Sequence, residues 1–144
     1  MNMNAEELQL KKSDKISLDT KQIYILDDDK SVLRSLKLLM VSYGFAVDTF
    51  STAEEFFSAV PNSALGCLIL DINMQGLNGW DTQQRLIKTG YNLPVIVISA
   101  DKDGDFKEKA LKAGAVGFLR KPFEDHYLLH MVNQVFNKTA DINN

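Results

Sequence analysis

Short apolar runs alternate along the chain with segments whose apolar residues recur at helical spacing. The apolar runs cover residues 22–26, 45–50, 66–70, 95–99 and 116–119. Between them apolar residues recur three and four positions apart, as Leu33, Leu36 and Met40 do, which predicts amphipathic helices. Continuous apolar runs of this length are typical of parallel strands that are covered on both faces. The alternation therefore predicts an α/β domain in which helices flank both faces of a parallel sheet.

Glycine and hydroxyl residues predict where the helices begin and end. Gly44, Gly90 and Gly114 each follow a helical pattern directly, as glycine does just past a helix C-terminus. Ser51 and Glu54 have the spacing of a capping box, which predicts that Ser51 opens the second helix. The three helices that follow are predicted over residues 79–88, 105–113 and 123–136.

The length and polarity of the chain predict one domain with two polar ends. At 144 residues the chain has the length of a single domain. Residues 1–20 carry little apolar material and are expected to form a flexible extension. We place the folded domain at residues 21–137 and a polar tail at residues 138–144.

The overall composition excludes several classes of protein. The net charge of -3 argues against a nucleic-acid surface within this chain. The single cysteine, Cys67, lies in an apolar run and suits a reducing compartment. No apolar stretch approaches the roughly 18 residues of a membrane span, and the polar N-terminus lacks a secretion signal. We expect a cytoplasmic protein with no membrane association.

Acidic residues follow two of the predicted strands. Asp27, Asp28 and Asp29 follow the first strand, and Asp71 follows the third. Because parallel strands end at one edge of the sheet, these carboxylates are expected to meet there. Clustered carboxylates need a cation, and Mg²⁺ binds carboxylate and phosphate oxygens. An aspartate beside a bound cation can accept a phosphoryl group, although Asp29 could instead cap the next helix.

Two further side chains suit the binding of a phosphoryl group. Ser99 ends the fourth predicted strand and could donate its hydroxyl to a phosphoryl oxygen. Lys121 follows the last strand, and its ammonium group is a compact charge for the same purpose. Taken alone, Ser99 is better interpreted as the cap of a turn and Lys121 as a solvated turn residue. Trp80, after the Asp71 loop, is interpreted as packing near this site.

Four stretches together resemble a known family. They are ILDDD at 25–29, LILDINMQGLNGW at 68–80, PVIVISA at 94–100 and GAVGFLRKPF at 114–123. This ordered set resembles the receiver domain of response regulators in two-component signalling. The last stretch resembles the subgroup that often carries a C-terminal helix-turn-helix DNA-binding domain. The resemblance implies a flavodoxin-like three-layer sandwich with a five-stranded parallel sheet in the order 2-1-3-4-5.

The resemblance also implies a role for each site residue. Asp71 would be the phosphoacceptor, and Asp29 would have a supporting role only. Mg²⁺ would be held by Asp28 directly, by Asp27 through water, by Asp71 and by the backbone carbonyl of Asn73. Ser99 and Lys121 would bind the phosphoryl group, and a cis peptide before Pro122 would aim Lys121 inward. Ser99 and Phe118 would move on activation.

The implied partners are a histidine kinase or a phosphotransfer protein as phosphoryl donor. A homodimer is allowed through the face formed by helix 105–113, strand 116–119 and the last helix. The chain departs from the family pattern at Gln75, where proline is usual, and at Phe118, which lacks the hydroxyl of a tyrosine. Gln75 is expected to loosen the loop after Asp71 without abolishing the chemistry.

Two other functions remain open from the sequence. One is a phosphatase or phosphotransferase of the haloacid-dehalogenase type, which also uses an aspartate nucleophile at a strand end. Such enzymes need a second aspartate two positions later, where this chain has Asn73, and an insert that closes over the substrate. We therefore expect a switch rather than an enzyme. The other is a receiver-like interaction module that is never phosphorylated.

The sequence also leaves open whether this chain is a stand-alone receiver or a fragment of a longer regulator.

Overall fold

The computed structural model of the protein describes residues 21–72, 79–100 and 105–143. Within these ranges five strands alternate with five helices. The strands are β1 (Gln22–Leu26), β2 (Ala46–Phe50), β3 (Cys67–Asp71), β4 (Val95–Ser99) and β5 (Gly117–Arg120). The helices are α1 (Lys30–Ser42), α2 (Ala53–Ala59), α3 (Gly79–Lys88), α4 (Asp105–Lys112) and α5 (Asp125–Asn143).

The strands form one parallel sheet in the order β2-β1-β3-β4-β5. This order confirms the predicted flavodoxin-like fold. Every residue of β3 and β4 is buried, because these strands lie inside the sheet and are covered on both faces. The central strands therefore hold the residues at their carboxyl ends on a rigid support.

Side chains alternate across the sheet and divide the core into two clusters. Along β4, Val95 and Val97 point to one face while Ile96 and Ile98 point to the other. The first face packs against residues of α2, α3 and α4, including Phe56. The second face packs against α1 and α5 through buried residues that include Leu33, Leu36, Met40, Leu128 and Val132.

Several element boundaries differ from the predicted ones. Strand β3 includes Asp71, which is paired with Ile98, because ladder hydrogen bonds do not depend on side-chain polarity. For the same reason β5 includes Arg120, which is paired with Ser99. Helix α5 continues to Asn143, beyond the last residue of the apolar pattern. No helix among the described residues is both long and apolar enough to span a bilayer.

The predicted cap of the second helix is wrong by one residue. Thr52, not Ser51, is the N-cap, and its hydroxyl accepts a hydrogen bond from the Glu55 backbone N–H at 3.1 Å. The carboxylate of Glu55 accepts a hydrogen bond at 3.2 Å from the N–H of Ser51, the residue before the cap, so Glu55 takes the place predicted for Glu54. Glu54 instead pairs with Arg85 of α3 at 2.7 Å.

The glycine that follows α1 has the expected C-terminal role. Gly44 has a φ of +93°, a left-handed conformation that favours glycine, and its N–H donates to the Val41 carbonyl at 2.9 Å. The predicted flexible extension over residues 1–20 lies outside the described residues. The division of the chain into extension, domain and tail therefore stays a prediction.

Candidate functional site

Three carboxylates meet at the carboxyl end of the sheet. Because β1 and β3 are parallel neighbours with Leu26 level with Leu70, the residues that follow, Asp27 and Asp71, emerge side by side. Carboxylate oxygens of Asp27, Asp28 and Asp71 lie within 4.8 Å of one another. Asp27 and Asp71 are buried, whereas Asp28 is exposed. The structure therefore brings together the acidic residues that the sequence singled out.

The ammonium group of Lys121 reaches into this acidic cluster. Its Nζ atom lies 3.1 Å from Oδ2 of Asp27 and 3.6 Å from Oδ2 of Asp71. The Lys121 backbone N–H donates to the Ser99 carbonyl at 2.7 Å, which fixes the chain just after β5. The peptide bond between Lys121 and Pro122 is cis, as the resemblance implied. One cation of the chain thus faces two buried carboxylates.

Burial dominates the electrostatics of Asp27. Loss of hydration raises the pKa of its carboxyl from 3.8 to about 6, and the charge of Asp71 adds to the rise. The Asp29 N–H, which donates to Asp27 Oδ1 at 3.0 Å, and the ammonium of Lys121 oppose this rise in pKa. The opposing contacts do not cancel the cost of burial, so the site as a whole favours a further cation.

The cluster fits Mg²⁺ by its chemistry and its spacing. Carboxylate oxygens are the hard ligands that Mg²⁺ prefers, and the ion is commonly held by one or two of them. Oxygens within 4.8 Å of one another are close to the roughly 4 Å that separates opposite ligands of an octahedral Mg²⁺ ion. Such an ion would neutralise the negative charge of Asp27, which is buried and only partly balanced by Lys121. Asn73, the further predicted ligand, lies outside the described residues, as does Gln75.

Asp29 has a structural position at the start of α1. It is the N-cap, and its Oδ1 accepts hydrogen bonds from the Ser31 N–H at 2.9 Å and the Ser31 hydroxyl at 2.6 Å. These bonds hold the pKa of the Asp29 carboxyl below its usual value. The capping interpretation of Asp29 is confirmed.

Ser99 and Phe118 lie at the neighbouring strand ends. Ser99 is the last residue of β4 and is fully buried at the same edge of the sheet as Asp71. Phe118 is 8 % exposed and packs in the cluster beneath α3 and α4. Their positions are compatible with the predicted roles in phosphoryl binding and switching, which stay predictions.

A close backbone contact next to Asp71 was not foreseen from the sequence. A Cβ atom added to Gly79 would lie 2.3 Å from the Cα of Ile72, so only glycine fits at the start of α3. The next residue, Trp80, meets Phe106 of α4 edge-on at 5.4 Å between ring centroids. The sequence signal was weak, because glycine is unfavourable mainly in the interior of a helix and Gly79 is at the first position.

Comparison with known proteins identifies the family of this fold and site. Residues 23–133 match the family described as the response regulator receiver domain. The response regulator protein TodT of Pseudomonas putida is 48 % identical over 107 residues, which are 74 % of this chain and 47 % of TodT. The transcriptional regulatory protein FixJ of Bradyrhizobium diazoefficiens is 35 % identical over 116 residues, which are 81 % of this chain and 57 % of FixJ.

A solved structure agrees with these sequence matches. The response regulator receiver protein from Burkholderia phymatum is 40 % identical, with a TM-score of 0.72, and the match covers 82 % of this chain and 96 % of that one. This chain spans about half the length of the curated relatives it matches, 47 % for TodT and 57 % for FixJ.

Proposed function

The chain belongs to the response regulator receiver family of two-component signalling, and from this premise we propose that Asp71 accepts a phosphoryl group. The donor would be a histidine kinase or a phosphotransfer protein. One observation carries the proposal: the buried Asp71 carboxylate lies 3.6 Å from the Lys121 ammonium and beside the carboxylates of Asp27 and Asp28. A nucleophile and the charges needed to balance a phosphate thus share one edge of the sheet.

The proposed reaction is an in-line transfer to a carboxylate oxygen. An electron pair on an Asp71 Oδ atom attacks phosphorus, and the bond from phosphorus to the donor's imidazole nitrogen breaks as the imidazole leaves. Lys121 balances negative charge on the phosphoryl oxygens, and the Ser99 hydroxyl donates a hydrogen bond to one of them. When bound, Mg²⁺ supplies further neutralisation of these oxygens. Asp27, Asp28, Asp71 and the backbone carbonyl of Asn73 would hold it.

The consequence of phosphorylation would be a shift between two arrangements of one surface. A phosphoryl group on Asp71 offers Lys121 a new anionic partner in place of Asp27, 3.1 Å away. Ser99 would move toward the phosphate and Phe118 would follow, as the family resemblance implies. The surface formed by α4, β5 and α5 would change shape and bind a second copy or another partner.

The same features favour a switch over the other two functions. Two positions after Asp71 the chain has Asn73 instead of the second acid that a haloacid-dehalogenase enzyme needs. Burying two carboxylates that face a lysine is costly, and an interaction module without phosphorylation gains nothing from this arrangement. The proposal therefore includes no enzymatic turnover. It keeps the two predictions made from composition and charge, which are no nucleic-acid partner within this chain and a cytoplasmic location.

The test is phosphorylation with a small phosphodonor. The wild-type protein, incubated with acetyl phosphate and Mg²⁺, should gain one phosphoryl group, detected by mass spectrometry of the intact chain. The Asp71→Asn variant should gain none. Asp48→Asn is the matched control, because it makes the same chemical change at an exposed residue of the edge strand β2.

Each alternative gives a different result in this test. Continuous consumption of acetyl phosphate without accumulation of modified protein would indicate an enzyme. Wild-type protein that stays unmodified while circular dichroism shows it to be folded would indicate an interaction module. A gain of phosphate by Asp71→Asn equal to that of wild type would show that another residue is the acceptor.

A further inference from the structure

Exposed apolar side chains lie at the amino end of the sheet, opposite the end that holds Asp71. Leu65, which precedes β3, is 84 % exposed, and Val116, which precedes β5, is 55 % exposed. Two cavities of about 320 and 240 Å³ open beside these residues, and Pro94 and Val116 line both of them. We call Leu65, Pro94 and Val116 the apolar rim. Apolar side chains that are exposed together mark a surface for binding.

The first described residue of the chain lies beside this rim. Lys21 immediately precedes β1, and β1 pairs with β3. Gly66 approaches β1 so closely that a Cβ atom added to it would lie 2.4 Å from the Gln22 carbonyl oxygen, which places Leu65 next to the start of β1. Val116 is three strand spacings away, or about 14 Å to the side. Residues 1–20 are therefore tethered next to the apolar rim.

The tethered segment carries two pairs of apolar side chains. Leu8 and Leu10 form one pair and Ile16 and Leu18 the other, each with one polar residue between its members. In an extended chain this alternation places both members of a pair on the same side. The chain between Leu10 and Lys21 can span up to about 36 Å, so the first pair can reach the far end of the rim without strain.

The charges of the segment and of the surface are complementary. Lys138 is the one charged residue among the described residues that line the two cavities. Glu6 and Glu7 directly precede Leu8 in the segment. With the first apolar pair on the rim, these carboxylates would lie on the side of Lys138. An exposed ion pair contributes little affinity, so this contact would orient the segment rather than hold it.

We propose that residues 8–18 pack across the apolar rim of their own chain. Ile16 and Leu18 cover Leu65, and the first apolar pair covers Pro94 and Val116. Removal of apolar surface from water on both partners drives the contact. A short tether gives the segment an effective concentration in the millimolar range, which favours the same chain over a second copy. The proposal is independent of phosphorylation, and it anchors the extension that the composition predicted to be flexible.

The test is paramagnetic relaxation, measured by nuclear magnetic resonance on the full ¹⁵N-labelled chain. A nitroxide is attached to the Gln9→Cys variant, in which Cys67 stays unlabelled because it is fully buried. The backbone amides of Leu65 and Val116 should lose most of their intensity relative to the sample with a reduced label. The amide of Ser31, at the other end of the sheet, should keep its intensity.

Two matched pairs of substitutions separate docking from simple tethering. Leu8→Ser together with Leu10→Ser removes the first apolar pair from the labelled variant, so the amide of Val116 should recover its intensity. Lys11→Ser together with Lys12→Ser changes two polar neighbours and should leave the loss of intensity in place. Both pairs lie outside the packed core, and the dispersion of the amide signals reports whether each variant is folded.

A mixed sample separates the same chain from a second copy. Spin-labelled protein without ¹⁵N is added to an equal amount of ¹⁵N-labelled protein without the nitroxide, and the amides of the second should keep their intensity. Loss of intensity at Val116 in this sample would assign the contact to a second copy and overturn the proposal. The proposal is also wrong if the amide of Val116 keeps its intensity in the labelled chain, or if its loss survives the change of both leucines to serine.

Discussion

The Lys121 ammonium lies 3.1 Å from Oδ2 of Asp27, a carboxylate that is fully shielded from water. The same ammonium lies 3.6 Å from Oδ2 of Asp71. Lys121 thus shares its positive charge between the two buried acids at the end of the sheet. Any second cation that binds these acids is repelled by Lys121, which sets the expected effect of removing it.

Substitution of Lys121 by methionine should tighten the binding of Mg²⁺ at least about fivefold, because a like charge near the ion is lost. The same substitution should slow phosphorylation from acetyl phosphate, since the phosphoryl oxygens lose a neutralising group. Isothermal titration calorimetry measures the affinity, with Lys112→Met on the exposed face of α4 as the control. Weaker Mg²⁺ binding by Lys121→Met would contradict the arrangement described above.

Substitution of Asp27 by asparagine should stabilise the protein in the absence of divalent cations. The folded-state pKa of Asp27 is about 6, above its usual 3.8, so ionisation of this carboxyl destabilises the fold as pH rises through that window. At pH 7.5 the free energy of unfolding should increase by about 1–3 kcal/mol, and the gain should vanish near pH 4. Urea denaturation in the presence of EDTA measures the difference.

The same variant should lose affinity for Mg²⁺, because one of the carboxylates that would hold the ion, in this case through water, becomes a neutral amide. Stability and metal affinity would then change in opposite directions. An Asp27→Asn protein that is less stable than wild type at pH 7.5 in EDTA would show that the Lys121 contact outweighs the cost of burying Asp27.

Substitution of Gly79 by alanine should destabilise the fold by about 2–4 kcal/mol. The new methyl group would lie 2.3 Å from the Cα of Ile72, and neither backbone segment can move without displacing α3 from the end of β3. Gly44→Ala is the control, because Gly44 has open space around it and only its φ of +93° is unfavourable for alanine. That control should lose about 1 kcal/mol, measured by chemical denaturation.

The contact of Arg85 with Phe57 should contribute more to stability than its ion pair with Glu54. The guanidinium lies 4.0 Å from the centre of the Phe57 ring, while the side chains of the ion pair are 42 % and 74 % exposed. Glu54→Gln should therefore cost at most about 0.5 kcal/mol, and Arg85→Ala about 1 kcal/mol. Equal losses from the two variants in urea denaturation would assign the effect to the ion pair.

The sequence predicted the sheet because its strands are nearly pure in apolar residues. Apolar runs such as residues 67–70 are typical of parallel strands that are buried on both faces, and the structure confirms this for β3. The strand ends were less predictable, since Asp71 and Arg120 continue the hydrogen-bonded ladder although their side chains are polar. The cap of α2 shifted to Thr52 because Ser51, Thr52, Glu54 and Glu55 offer two overlapping boxes.

The acidic cluster was predictable because strand polarity places Asp27 and Asp71 at one edge. The sequence did not predict whether Lys121 lies closer to Asp27 or to Asp71. Lys121 and Asp27 are 94 positions apart, and the distance between them depends on the packing of three elements. The burial of Gln83 was also not predictable, since a glutamine within a helix is usually exposed and only the packing of α3 buries this one.

The sheet separates the two core clusters, and consecutive residues such as Val97 and Ile98 pack against different helices. A change in side-chain volume on the face of Val97 therefore alters the packing of α2, α3 and α4. The packing of α1 and α5 against the other face is left unchanged. Substitutions can therefore accumulate in one core cluster over evolution without compensating changes in the other. The same independence lets a protein engineer redesign either layer by itself.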